Sequence, residues 1–411
     1  MTYFQLADAM ELAFTVANLV IAAIMAGVLG VWIYFLAYMT KSFRQAPTLE
    51  SFDRSSAPRF PMVSVILPAR NEERYITRCL DSLLAQDYSN FEIIAINDSS
   101  SDRTGEIMKE YAARDSRLVQ VNAPPKPEGW AGKNWACHQG YLRAKGDVLL
   151  FTDADTVHSS SAMSLAVGQM VSQNLDALTA VPKLVCNDFW TKITLPALAT
   201  FLHTRFSPLR VNDPNTKTGY FFGSFFTITR STYEAVGTHE GVRQELVEDG
   251  ALGGKVKEGK FKLKMVRGEH QIEAVWARDL PTLWHGLRRL MISLYYQNKS
   301  GASMMAVAVF FILFAPFAFV PYLPAATLAN NVSFDILVGI QLATIAVIIA
   351  ATAVQCRLGV FENPAYALAS PLSGALISFG FLSAIADARK KGAVNWRDRQ
   401  YTVSENQHPI H

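Results

Sequence analysis

Residues 12–39 contain no charged side chain, and no ordinary soluble fold with a single core accommodates such a stretch easily. A helix of about 20 apolar residues spans the hydrocarbon core of a bilayer. Two further regions share this character: residues 302–355 carry only Asp335, and residues 365–386 carry no charge. Buried helices of one large core are the competing reading. That reading fits poorly, because the uncharged stretches flank a normally patterned middle instead of interrupting it. Half of the residues are hydrophobic and 18% are charged, and residues 41–300 hold most of that charge. A chain of 411 residues is long enough for two or three structural units. The expected organisation is a transmembrane anchor over 1–40, a soluble domain over 41–280 and an interfacial amphipathic helix over 281–300. A C-terminal transmembrane region over 301–388 and a basic tail over 389–411 complete it.

The first stretch is too long for a signal peptide, and its leading flank holds Asp8 and Glu11 in place of basic residues, so a retained anchor is expected. Lys41, Arg44, Arg54 and Arg59 follow it. The positive-inside rule then places the soluble domain on the cytoplasmic face of an inner or plasma membrane. The tail carries Arg389, Lys390, Lys391, Arg397 and Arg399, which points it to the same face. Four crossings from an external N-terminus would leave that tail outside. One of 302–328, with Pro316, Pro321 and Pro324, or 365–386 is therefore expected as a re-entrant or interfacial hairpin, and three or four crossings stay open. Cys79, Cys137, Cys186 and Cys356 show neither metal spacing nor a disulfide framework. A net charge of +3 gives no reason to expect a nucleic-acid partner.

Within the soluble domain, apolar runs at 63–68, 91–96, 118–121 and 148–152 read as buried strands. Segments with helical spacing at 72–86, 104–114 and 133–144 separate them. Strands alternating with helices predict an α/β fold: a doubly wound, mostly parallel sheet covered on both faces. Ligands of such sheets bind at the carboxyl ends of the strands. Polar residues stand there: Pro68 to Glu73 after the first strand, Asn97 to Asp102 after the second, and Asp153-Ala154-Asp155 after the fourth. No Gly-x-Gly-x-x-Gly and no Gly-x-x-x-x-Gly-Lys-Ser/Thr accompanies them, so a glycine-rich phosphate loop is excluded. Two carboxylates one residue apart can hold a hard divalent cation and, through it, a phosphate. Alone, Asp-x-Asp is more often a solvated turn, and its neighbours decide.

Four motifs stand in order: Val-Ser-Val-Ile-Leu-Pro-Ala-Arg-Asn-Glu-Glu (63–73), Ile-Asn-Asp-Ser-Ser-Ser-Asp (96–102), Gly-Trp-Ala-Gly-Lys-Asn-Trp-Ala (129–136) and Thr-Asp-Ala-Asp (152–155). With them the chain resembles the family 2 glycosyltransferases of GT-A fold, over roughly residues 60–290. The resemblance is nearest to the membrane-anchored, hopanoid- and carotenoid-associated branch, and more distant to ceramide glucosyltransferases. It implies a metal-dependent, inverting hexosyltransferase that moves one sugar from a UDP-sugar to a hydroxyl of a membrane lipid acceptor. A processive polysaccharide synthase and a catalytically idle scaffold on the same fold are the alternatives.

The resemblance also assigns roles. Asp98 contacts the uracil ring, where a carboxylate accepts from the ring N–H, and Pro68, Ala69 and Glu72 line the same edge. Asp98 could equally open the next helix as a cap, although Asp102 suits that role better. Lys133, at a helix start, lies near the nucleotide or diphosphate. Asp153 contacts ribose or metal, and Asp155 binds Mg²⁺ or Mn²⁺. His158 is a further candidate ligand, more naturally placed in a polar loop. Asp249 takes the acceptor proton and Glu248 supports it, although an acidic pair is also a favourable helix start. Arg288 and Arg289 sit where processive and ceramide-type relatives carry Gln/Arg-x-x-Arg-Trp. They contact either the diphosphate or lipid headgroups, and the closing tryptophan is replaced by Arg289. The tail motif at 395–401, with Trp396, Arg397, Arg399 and Tyr401, is a candidate cap over the site.

Overall fold

A computed structural model describes residues 3–50, 61–318, 320, 332–391, 393–396 and 399–402. Arg54, Arg59, Pro321, Pro324 and Arg397, on which parts of the sequence reading rest, lie outside the described residues. The other tail side chains, Trp396, Arg399 and Tyr401, are not described either.

The chain begins with α1 (Tyr3–Gln45) and then joins the edge of the central sheet. Leu49 N donates to Arg267 O and Arg267 N to Pro47 O, each at 2.8 Å, so the end of α1 is moored to the domain. The sheet has seven strands in the order β3-β2-β1-β4-β8-β6-β9. These are β1 (Val63–Ala69), β2 (Phe91–Asn97), β3 (Leu118–Asn122), β4 (Val148–Phe151), β6 (Ala177–Val181), β8 (Phe226–Thr229) and β9 (Leu263–Arg267). All pairings are parallel except those of β8, which is antiparallel to both neighbours. A second sheet joins β5 (Thr156–His158), β10 (Ile272–Ala274) and β7 (Lys183–Leu184).

The reason for the continuous apolar runs is visible in β1. Val63, Val65 and Leu67 pack into one core, with α2 (Ile76–Leu84), α3 (Thr104–Arg114) and α5 (Ala162–Ser172). Ile66 packs into the other, with α4 (Gly132–Tyr141), α8 (Arg230–Ala235) and α9 (Glu248–Glu258). Successive side chains face opposite sides, and both sides are covered, so no position can be polar without a partner. Each such side chain, fully buried, contributes roughly 1.5–3 kcal/mol.

A third core joins α1, α6 (Phe189–Arg205), α10 (Leu280–Gln297), α11 (Lys299–Leu313), α13 (Val332–Leu358) and α14 (Ser370–Lys391), with α12 (Ala315–Ala318) as a short link, whereas α7 (Pro208–Val211) puts Val211 into the core of Ile66. Among the described residues, three helical stretches are long and apolar enough to cross a membrane: Met10–Gln45, Val332–Leu358 and Pro364–Arg389. Helices α1 and α13 run in the same direction. Near their starts Phe14 stacks on Phe334 at 6.5 Å, and near their ends Phe43 and Gln355 line one cavity. Leu12, Val16, Leu19, Val332, Ile336 and Leu342 on these two helices are exposed, as lipid-facing side chains are. Two ion pairs tie the ends of the α14 region to α6 and α10. Lys192 of α6 pairs with Glu362 at 3.7 Å, and Arg288 of α10 pairs with Asp387. After α14, β11 (Ala393–Trp396) and β12 (Arg399–Thr402) form an antiparallel hairpin.

Candidate active site

Strand β1 has its successor β2 on one side and β4 on the other, so the chain connections diverge at its carboxyl end and leave a crevice. A cavity of about 840 Å³ opens there. Pro68, Ala69 and Glu72 from the β1 exit, Asp98 from the β2 exit and Asp153 and Asp155 from the β4 exit line it. Lys133 of α4, Glu248 and Asp249 of α9, and Arg289 of α10 complete the set. Ten of the eleven residues singled out from the sequence as site residues thus share one space. Arg288 is the exception: it turns to Asp387 of α14 and takes no part in the lining.

Lys133 is the hub. Its Nζ lies 2.7 Å from Asp153 Oδ1 and 2.6 Å from Glu248 Oε1. Burial alone would lower the pKa of this ammonium. The carboxylates of Asp153, Glu248 and Asp249 outweigh burial and hold it well above its ordinary value. Asp249 shows the opposite behaviour. Burial, followed by the charge of Glu248, pushes it up to about 7 against the counter-pull of Lys133. Its two oxygens are fixed by backbone donors: Gly223 N donates to Oδ2 at 2.7 Å and Gly250 N to Oδ1 at 2.8 Å. A carboxylate poised near neutrality, oriented by two amides and facing a cavity, has the properties of a general base.

The backbone approach that makes this possible depends on glycine. A Cβ on Gly253 of α9 would lie 2.6 Å from Phe221 N, so only glycine lets α9 press against residues 220–221. A Cβ on Gly223 would stand 2.7 Å from Asp249 Oδ2, 3.0 Å from Lys133 Nζ and 3.2 Å from Asp153 Oδ2. Gly223→Ala is therefore expected to abolish turnover while the purified protein keeps a Tm within a few degrees of wild type. Unchanged turnover in Gly223→Ala would show that this space is not used.

Other residues of the lining, and the partners of some predicted ones, were not legible in the sequence. Glu72 is buried, and its carboxylate pairs with Arg278, whose guanidinium also lies 4.7 Å over the Tyr75 ring. His203 packs its ring 4.5 Å from Phe43, and burial pushes its pKa down to about 4, leaving a neutral imidazole. Tyr220, Gln355 and Gly359 extend the cavity toward α13. His158 is not in a polar loop. It is buried on β5, bonded to Thr152 Oγ1 at 3.1 Å and packed on Phe225, so it belongs to the core. Trp130 and Trp135 pack on each other beside His138, outside the lining. Asp102 is not the N-cap of α3, which is Arg103; it stands one residue earlier and closes a turn by accepting from Thr104 N at 3.0 Å.

The fit of a divalent cation rests on Asp153 and Asp155. Among the described residues no group of three or more His, Cys, Asp or Glu side chains converges as a closed cage. An open pair of carboxylates suits Mg²⁺ or Mn²⁺, which keep positions for water and phosphate oxygens.

The profile of the family described as "Glycosyl transferase family 2" matches residues 64–237, which include the β1, β2 and β4 exits, Lys133 and Gly223. The chain carries a family 2 glycosyltransferase domain. The glycosyltransferase EpsJ of Bacillus subtilis is 39% identical over 114 residues, 28% of this chain and 31% of that relative. The chain thus spans about a third of that relative's length. The 4,4'-diaponeurosporenoate glycosyltransferase of Staphylococcus aureus is 25% identical over 353 residues, 84% of this chain and 89% of that relative. Among solved structures, a mannosyltransferase from Pyrobaculum calidifontis in complex with GDP-Man and Mn²⁺ superimposes with a TM-score of 0.52 at 18% identity. That superposition covers 90% of this chain and 98% of that one. The glycosyltransferase domain has the GT-A fold, followed in the chain by the apolar C-terminal helices.

Proposed function

We propose that the protein is an inverting glycosyltransferase that moves one sugar from a nucleoside-diphosphate sugar to a membrane lipid. The observation that carries this reading is Asp249, held by two backbone amides in the same cavity as the carboxylates of the strand exits. The acceptor hydroxyl gives its proton to Asp249, and its oxygen attacks the anomeric carbon. The bond from that carbon to the diphosphate oxygen breaks, and the nucleoside diphosphate leaves with the electron pair. Lys133 keeps Asp153 and Glu248 in place, so the charge beside Asp249 stays balanced. A Mg²⁺ or Mn²⁺ ion on Asp153 and Asp155 would neutralise the leaving diphosphate. Asp98 and the β1 exit receive the base, for which uracil is the proposed partner.

The acceptor's approach follows from the rest of the lining. Leu195, Leu198 and Leu202 of α6, Trp276, and Leu290 of α10 continue the cavity away from the carboxylates toward the apolar helices. A lipid can lie there with its head near Asp249. The name of the Staphylococcus aureus relative specifies a carotenoid acid, which makes a terpenoid lipid the first acceptor to test. Because α1 and α13 run in the same direction, the chain has to cross back between them, and α11 is the proposed start of that return. Helix α14, whose ends are ion-paired to α6 and α10, is then proposed to lie along the interface. Three crossings result, and they place the domain and the tail on one face, the cytoplasmic one.

The test uses sealed membrane vesicles from cells producing the protein, given radiolabelled UDP-glucose, UDP-galactose, UDP-N-acetylglucosamine or GDP-mannose with Mg²⁺ or Mn²⁺. Inverted vesicles should label a lipid extract with one donor, and right-side-out vesicles should not. Labelling confined to polymer, or none above vesicles lacking the protein, would sink the reading.

A further inference from the structure

Arg210 of α7 reaches out of the soluble domain to the membrane helix α1. Its Nη2 donates to Tyr34 Oη at 3.2 Å, and its guanidinium lies 5.8 Å over the Tyr38 ring. The two tyrosine rings stack at 5.7 Å, and Tyr38 Oη is 2.6 Å from Ser207 Oγ, just before α7. The guanidinium is thus held in place before any ligand arrives. Among the described residues no carboxylate meets its charge. Asp213, the acidic residue nearest to it in the chain, turns its carboxylate to Asn215, accepting from N at 2.9 Å and from Nδ2 at 3.1 Å.

Depth decides what lies opposite this charge. Ile33, 52% exposed in the charge-free stretch 12–39, faces lipid when α1 crosses the bilayer. Tyr34 follows it directly and is 48% exposed, the position that interfacial tyrosines take. Lys41 is the first charge of α1 beyond that stretch, and it stands seven residues after Tyr34, about 10 Å along the helix. Arg210 therefore carries its charge two turns closer to the hydrocarbon than α1 itself does, which is the level of the headgroups. Tyr34, Tyr38 and the exposed Lys41 share one stripe of α1, so a second cation stands above the first. A guanidinium fits a phosphate with parallel N–H groups, and anionic lipids gather at the cytoplasmic leaflet. We propose that Arg210, with Tyr34, Tyr38 and Lys41, binds the phosphate of an anionic membrane phospholipid and so fixes the domain to the bilayer at α7. The site adjoins the large cavity, whose lining includes Phe206 and Pro208. It requires that α1 crosses a membrane, and it does not depend on sugar transfer.

The experiment titrates the full-length protein in detergent micelles with phosphatidylglycerol or phosphatidylcholine and counts bound lipids by native mass spectrometry. Wild type should bind its first phosphatidylglycerol more tightly than its first phosphatidylcholine. Arg210→Gln should weaken that first phosphatidylglycerol about tenfold, the loss expected of a hydrogen bond to a charged group. Its phosphatidylcholine binding should not change. Arg210→Lys should recover only part of the affinity, because an ammonium has neither the fork nor the flat face that rests on Tyr38. Tyr34→Phe removes no charge and should weaken the first phosphatidylglycerol about two- to fivefold. Lys109→Gln takes an equal charge from the exposed side of α3 and should match wild type. Inorganic phosphate at the same concentration should not displace the lipid, whose acyl chains lie against α1. Wild type without preference for phosphatidylglycerol, an equal loss in Arg210→Gln and Lys109→Gln, or displacement by inorganic phosphate would each overturn the proposal. If Arg210→Gln does not fold, Arg210→Lys and Tyr34→Phe decide by the same readout, and full affinity in both rejects the site. No donor is present in these titrations, so their outcome is separate from that of the sugar-transfer reading.

Discussion

Asp249→Asn is expected to lower kcat by about 10²–10⁴-fold, the range over which a general base contributes. Binding of the nucleotide should survive, because Asp249 is held by Gly223 and Gly250 and makes no ion pair with Lys133. Asparagine keeps the shape and still accepts from one amide, but it cannot take a proton. The pH profile supplies an independent check. The base must be ionised to work, so wild-type kcat/KM should fall as pH drops through a value near neutrality, where burial and Glu248 place Asp249. Stability moves the other way. The folded carboxyl holds its proton to higher pH than an unfolded aspartate, whose value is about 3.9. The folded state therefore binds the extra proton between those two values and loses stability as pH rises through that window. Asp249→Asn removes this dependence, so the variant should melt higher than wild type at pH 8 and close to it at pH 4. Retained transfer by the variant would reject Asp249 as base. It would favour an acceptor that is already ionised, such as a carboxylate.

The strand exits were legible because a parallel sheet forces its polar residues to one end. Once 63–68, 91–96 and 148–152 read as buried strands, Asp98 and Asp153 had to stand on the same edge. Glu248 and Asp249 could be placed only through family resemblance, since no local pattern says that α9 returns to that edge. The structure supplies the reason in Gly223 and Gly253, whose missing side chains allow the close approach. Pairs distant in sequence were not legible at all. Nothing near Glu72 signals that its charge is met by Arg278, 206 residues away. Arg288 and Arg289 read as equivalent, yet the helical turn sends one to Asp387 and the other to the cavity.

Asp155→Ala is expected to remove the cation-dependent part of nucleotide binding while sparing the arrangement of Lys133, Glu248 and Asp249. The two members of the Asp153-Ala154-Asp155 pair are not equivalent. Asp153 shares its carboxylate with Lys133 at 2.7 Å, so its loss also releases the ammonium that steadies Glu248. Asp155 lines the cavity, and its backbone oxygen accepts from Val275 N, just after β10, at 3.4 Å. The ammonium beside Glu248 is held by Asp153, so removing the Asp155 carboxylate leaves those two contacts in place. Wild-type protein should gain thermal stability from a nucleoside diphosphate with Mn²⁺, by about 2.7 kcal/mol at a hundredfold excess over Kd. Most of that gain should vanish with EDTA. In Asp155→Ala the shift with Mn²⁺ should fall to the value seen with EDTA, and turnover should drop by at least two orders of magnitude. Asp153→Asn should differ in kind: it should also change the unliganded melting temperature and the pH at which activity falls, because Lys133 then has one carboxylate fewer to hold. If Asp155→Ala kept the full Mn²⁺-dependent shift, the cation would be bound elsewhere, and Asp155 would remain a structural residue of the turn.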